Sequence, residues 1–336
     1  MRKLRLLLFP VAGIYYLVTL TRNKLYDTGI FKSKKYDIPV ICVGNLSVGG
    51  TGKSPMTEFV VRLLQDNCRV ATLSRGYGRK TKGYLDVHPE NQATIVGDEP
   101  LQFAQKFKNI QVAVCEDRQT GIETLLSKVN APEVIVLDDA YQHRKVEAGF
   151  YILLTAYSDL FSYDFLLPAG NLREPRAGAS RADVVVVTKC PENLSSQEQA
   201  SIVDSLNVNN TQQVYFSTIS YDEKVYSALG PVPLNRLKVK KVTLVTGIAN
   251  PKPLSAYLAS EGLSFSHESY GDHHNFTSSE IEMLDTLDCI LTTEKDYVRL
   301  RPLLKMSDLY YLPIKAQFLD GEELLSEEIK NFVSSF

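Results

Sequence analysis

A glycine-rich stretch, GNLSVGGTGKSP at 44–55, carries the residue types needed to grip a polyphosphate. Gly49, Gly50 and Gly52 let backbone N–H groups close around phosphate oxygens with no Cβ in the way. A helix opening just beyond turns the positive end of its dipole on the same point. Lys53 is placed to reach the β- and γ-phosphates of a nucleotide such as ATP, and the Ser54 hydroxyl to ligate Mg2+. Ser47, Val48 and Thr51 supply the rest of the loop. The pattern G-x-x-x-x-G-K-[ST] asks for glycine at 47, where this chain has Ser47. An ordinary glycine turn is the plain alternative, yet GGTGKS after an apolar strand is rare outside nucleotide sites.

Carboxylates come next. VIVLDD at 134–139 is an apolar strand ending in Asp138 and Asp139, and an acid at that place in a P-loop protein holds Mg2+ directly or through water. A solvated strand end is the other reading. GDEP at 97–100 is a tight polar turn before a helix. Spacing alone favours Asp98 as the N-cap of that helix. Its chemical alternative is a base for an incoming hydroxyl, where a weak base suffices because a loose phosphoryl-transfer transition state releases the proton late. GDHHNF supplies Asp272, His273 and His274. Adjacent histidines are poorly arranged to chelate one metal, and no C-x-x-C accompanies them. A histidine that orients a group or accepts a proton near pH 7 fits better.

These groups need a scaffold. After residue 36, short apolar runs alternate with amphipathic stretches, the pattern of an α/β fold with mainly parallel sheets. Strands are expected over 38–43, 70–73, 112–115, 134–137, 150–154 and 184–187. A second series follows over 242–246, 263–267, 289–292 and 310–314. Met56, Phe59, Val60, Leu63 and Leu64 recur at helical spacing, with Pro55 at an early helical position. Thr277 with Glu280 forms a capping-box pattern, and DGEELLSEEIKNFVSSF closes the chain as an amphipathic helix. Segments 214–220 and 225–229 flank 221–224 as a hairpin or ribbon. The expected division is an N-terminal helix over 1–30, a P-loop domain over 36–210 and a second α/β domain over 211–336, with the ribbon linker near 214–229 and a cleft between the two domains.

A chain of 336 residues with net charge −2 gives no global argument for nucleic acid as a partner. Its five scattered cysteines suit a reducing compartment such as the cytosol. Charge is concentrated at the start, where Arg2, Lys3, Arg5, Arg22, Lys24, Lys32, Lys34 and Lys35 face only Asp27. Between them, 6–20 is uncharged. As a helix it extends about 22 Å, short of a roughly 30 Å hydrocarbon core, and Pro10 disfavours helix at its start. Cations on both flanks suit a segment lying in an anionic interface, each contributing on the order of 1 kcal/mol. Packing on the protein's own core and a true span are the alternatives.

Taken together, VGNLSVGGTGKSP, SRGYGRK, GDEP, DDAYQHR, LLPAGNLREP, GDHHNF and TEKDYVRL resemble one family, the tetraacyldisaccharide 4′-kinases. The resemblance covers nearly the whole chain in the same motif order. It departs at Ala140, where the family usually has glycine. It implies two α/β/α domains joined by a ribbon. The implied reaction moves the γ-phosphate of ATP, with Mg2+, to the 4′-hydroxyl of a tetraacyl glucosamine disaccharide 1-phosphate, giving lipid IV-A. The implied place is the cytoplasmic face of the bacterial inner membrane, with no obligate protein partner. By motif matching, Asp98 resembles the catalytic base, helped by His273 or His274, and Asp138 and Asp139 serve Mg2+. Arg75, Glu99, Arg173 and Glu174 are candidates for organising phosphate, metal or sugar.

Three other readings compete. A regulatory or metal-insertion P-loop GTPase or ATPase shares GGTGKS, but the guanine motif N-K-x-D is missing: TKCP at 188–191 and TEKD at 293–296 do not fit. A cytosolic small-molecule kinase or ligase leaves the apolar N-terminus unused. A non-enzymatic membrane scaffold leaves Lys53, Asp98 and Asp139 unexplained.

Overall fold

Nearly continuous apolar runs become strands buried on both faces, as parallel sheets require. The computed structural model describes residues 5–272 and 274–336. Its strands in chain order are β1 (Val40–Asn45), β2 (Val70–Ser74), β3 (Leu85–Asp86), β4 (Gln111–Val114), β5 (Val134–Asp138), β6 (Phe150–Ala156), β7 (Val184–Thr188) and β8 (Gln213–Tyr221). There follow β9 (Lys224–Ser227), β10 (Gly230–Pro233), β11 (Val242–Thr246), β12 (Phe265–Ser269), β13 (Cys289–Thr293), β14 (Asp308–Leu312) and β15 (Ile314–Phe318). They form a nine-stranded sheet in the order β15-β8-β7-β6-β1-β5-β2-β4-β3 and a six-stranded sheet in the order β10-β9-β14-β13-β11-β12. The large sheet is parallel except at its edges, where β3 and β15 run antiparallel. β1 lies between β5 and β6, with Val43 paired to Asp138. That register sets the end of the acidic strand beside the start of the glycine loop.

Three expectations are corrected here. The segments expected to pair as a hairpin, 214–220 and 225–229, lie in different sheets. β8 pairs instead with β15, antiparallel, from Tyr221–Ile314 to Ser217–Phe318, and β9 pairs with β10 and β14. The ribbon between the sheets is thus made of strands nearly a hundred residues apart, which a local pattern does not reveal. The boundary expected at 210/211 does not follow the sheets either. β8, β15 and the closing helix Glu322–Ser334 return to the first sheet, where Leu325 and Ile329 are buried in its core with Phe150 and Tyr215. β12 also starts two residues later than expected, because it is a largely exposed edge strand with a weak apolar signal.

At the N-terminus the helix is longer than its uncharged part. It runs from Leu6 to Asp27, 22 residues or about 33 Å. Pro10 sits in the first turn of its α-helical portion, where a missing N–H costs nothing. One stripe faces the protein. Arg5 bonds Pro168 O, Gly170 O and Asn171, Phe9 packs edge-on to Phe165, and Tyr15 Oη donates to Arg173 O at 2.8 Å. Ala12 is buried, and Asn23 bonds Glu174 at 2.9 Å. The opposite stripe, Leu7, Val11, Ile14 and Val18 with Leu17 beside it, is apolar and more than half exposed at every position. This helix turns its grease outward.

Candidate active site

The glycine loop leaves β1 and enters the helix Lys53–Leu64, which opens at Gly52. Gly49 and Gly52 have φ of 111° and 84°, values at which a side chain would be strained. Ser47 is absent from the positive-φ residues, so a serine serves where the pattern asks for glycine. It bridges Leu172, and Val48 N donates to Asn171 O at 2.8 Å, so the LREP segment buttresses the loop. Thr51 is buried, accepts from Asn45 Nδ2 at 2.8 Å, and offers its carbonyl to the Thr188 hydroxyl at 2.8 Å. Lys189, in the left-handed region at φ 58°, donates to Gly50 O at 2.6 Å. Burial and the nearby Lys53 charge lower its pKa.

Lys53 lies 3.8 Å from Asp139. Asp139 in turn takes a two-point bond from Arg173, at 2.9 and 3.3 Å. Burial alone would raise the Asp139 pKa, but Lys53, Arg173 and Arg118 outweigh it and hold the carboxyl below its usual range. Asp138 behaves oppositely. Burial, then Glu99 and Asp139, push it up to about 7, against Lys53 and a 3.1 Å bond from Thr57. Glu99 stands close because the GDEP turn meets the loop: Ser54 Oγ donates to Glu99 Oε1 at 3.2 Å. A hydroxyl beside mutually repelling, desolvated carboxylates is a hard-oxygen donor set of the kind Mg2+ takes. Among the described residues, no group of three or more His, Cys, Asp or Glu converges tightly enough to hold a metal by itself.

Asp98 is not an N-cap. Gly97 caps the helix Asp98–Lys106, and Asp98 stands in its first turn with its carboxylate gripped by Arg299. The SRGYG loop packs on this turn, since a Cβ on Gly97 would lie 3.1 Å from Gly76 Cα. Arg75, from the same loop, is exposed; its charge acts on Arg118, buried behind Asp138 and Asp139.

Two candidates prove to be engaged elsewhere. Glu174 is buried and holds Asn23, Gln142 and Arg181, so it ties the N-terminal helix to the site and has no side exposed to a substrate. His274 bonds Glu280 at 2.9 Å, the glutamate of the Thr277 capping box that opens the helix Ser278–Leu284, and stacks on Tyr270. His273 lies outside the described residues. Asp272 is paired with Lys295 at 3.6 Å.

A family model described as Tetraacyldisaccharide-1-P 4′-kinase matches residues 4–334. The chain belongs to this family. The tetraacyldisaccharide 4′-kinase of Flavobacterium psychrophilum is 50% identical over 340 residues, covering 100% of this chain and 98% of that protein. The one from Flavobacterium johnsoniae is 49% identical over 339 residues, covering 99% and 98%. A crystal structure of the "apo" form of LpxK from Aquifex aeolicus in complex with ATP matches with a TM-score of 0.80 at 33% identity, covering 98% of this chain and 99% of that one. Tetraacyldisaccharide 4′-kinase membership sets aside the regulatory GTPase reading. In DDAYQHR the positive φ falls on Asp139, at 50°, and not on Ala140, so alanine fits where the resemblance implies glycine.

Reading by motif missed Arg299, Lys189 and Arg118. Lys189 had a usable signal, since it follows β7 at the carboxyl edge of a parallel sheet, where such folds place ligand-binding residues.

Proposed function

We propose that this chain is a kinase of lipid A synthesis that moves the γ-phosphate of ATP to the 4′-hydroxyl of a tetraacyl glucosamine disaccharide 1-phosphate. The observation that carries the reading is the Ser54–Glu99 contact, which brings the GDEP turn, and with it Asp98, to the phosphate loop. The loop amides and Lys53 cradle the β- and γ-phosphates. Ser54 and Asp138 would hold Mg2+, with Asp139 beside them as a positioning charge shared by Lys53 and Arg173. An ion held there would supply charge neutralisation to the phosphates during transfer. The 4′-oxygen attacks the γ-phosphorus, the bond to the β–γ bridging oxygen breaks, ADP departs, and the hydroxyl proton passes to Asp98. Assistance to the base comes from His273 or His274 of the GDHHNF loop; the bond of His274 to Glu280 uses one ring nitrogen and leaves the other for this work. The test is transfer of radiolabelled γ-phosphate to the disaccharide 1-phosphate in mixed micelles, with and without Mg2+. Absence of labelled lipid under both conditions rejects the reading.

The enzyme works at a membrane, on its cytoplasmic face in this proposal, because an acylated acceptor stays in the bilayer. Support comes from the outward apolar stripe of the N-terminal helix and from the bonds that its inward stripe makes to the LREP segment buttressing the loop. Val11→Glu, Ile14→Glu and Val18→Glu together should abolish flotation with anionic liposomes while leaving the fold intact, since all three side chains face away from the protein. Undiminished flotation of the triple variant refutes the surface role of the helix.

A further inference from the structure

The helix Glu294–Leu300, which follows β13, is latched to the helix Asp98–Lys106 at both ends. At one end Arg299 Nε donates to Asp98 Oδ1 at 3.0 Å, and Arg299 Nη2 reaches Asp98 Oδ2. At the other, Lys106 bonds Glu294 and, at 2.7 Å, Glu58 of the P-loop helix. The two helices therefore run antiparallel, and Val298 between the latches is buried in the same core cluster as Leu101 and Phe103. The Glu58–Lys106–Glu294 end needs no further account than packing: buried charges are paired. The Arg299 end closes on a residue of the reaction.

We propose that Arg299 is a positioning residue for phosphoryl transfer, setting from the second sheet the plane in which Asp98 of the first presents its carboxylate. This rests on the reading of Asp98 as the base. A carboxylate at the first position of a helix is free to turn about two side-chain bonds. A two-point guanidinium bond fixes its plane. The same guanidinium donates from Nη1 to His274 O at 3.4 Å, so one side chain sets the spacing between the GDEP turn and the GDHHNF loop. Placement of this kind counts in rate, because a reacting group displaced by about 1 Å loses on the order of 100-fold.

Four proteins test it with ATP and the disaccharide 1-phosphate in mixed micelles: Arg299→Met, Arg299→Lys, Asp98→Asn, and Asp98→Asn combined with Arg299→Met. Arg299→Met should lower kcat about 10- to 100-fold with the KM for ATP changed less than about threefold. Arg299→Lys should recover only part of the loss, since lysine keeps the charge but not the fork. In the Asp98→Asn background, Arg299→Met should cost nothing further. Two results overturn the proposal while sparing Asp98 as base: near-normal kcat for Arg299→Met, or an equal fractional loss with and without Asp98. Near-normal turnover by Asp98→Asn alone removes the base, and the positioning of it too.

Discussion

Lys53→Ala lowers kcat by about 100- to 1,000-fold, the cost of removing one positioned donor from a dry site where charge develops. The side chain is 11% exposed, so its charge works in a low-dielectric pocket. It has two duties there. It meets the triphosphate, and it is the cation nearest in effect to both aspartates, lowering the pKa of each. Removal therefore shifts Asp138 further toward its protonated form, on top of the lost phosphate contact. The fold should survive, because Asp139 keeps its two-point bond from Arg173. Lys53→Arg should not restore rate, since a broad planar fork does not replace a compact ammonium on a flexible stem. The measurement is steady-state kinetics beside a thermal melt. A kcat within about fivefold of the parent at unchanged Tm removes Lys53 from the phosphate site.

Much of this site was legible in the chain because its elements are local. The glycine loop, the strand before it and the helix after it are contiguous, and the strand ending in Asp138 and Asp139 follows from one apolar run. The capping box at Thr277 and the closing helix were equally local. What escaped depends on contacts between distant residues. Asp98 reads as a cap from its spacing, but Gly97 takes that place, and the partner that holds the Asp98 carboxylate, Arg299, lies 201 residues away. Glu174 looked like a substrate contact from its motif, yet its partners Asn23 and Gln142 come from other parts of the chain. The ribbon was placed on neighbours in sequence, whereas the real pair, β8 and β15, closes a loop that contains the whole second sheet. Loop closure costs only logarithmically more with length, so nothing in local composition marks such a partner.

Asp98→Asn leaves ATP binding within about threefold of the parent and lowers kcat by about 100- to 10,000-fold, the range that general base catalysis supplies. Asparagine keeps the shape and one acceptor, so the helix start and its packing on Gly76 remain. The lost property is a group able to take the hydroxyl proton. Binding is spared because ATP is held by the loop amides and Lys53, and the path from Asp98 to them runs through the neighbouring Glu99 and its bond to Ser54. Glu99→Gln provides the contrast: it disturbs Ser54 directly and removes a charge that raises Asp138, so it should change the dependence on Mg2+ concentration as well as kcat. Two adjacent carboxylates then separate by readout, one in turnover alone and the other in metal dependence. If both variants changed Mg2+ dependence equally while Asp98→Asn kept its rate, the proton would have to leave by a route that avoids Asp98.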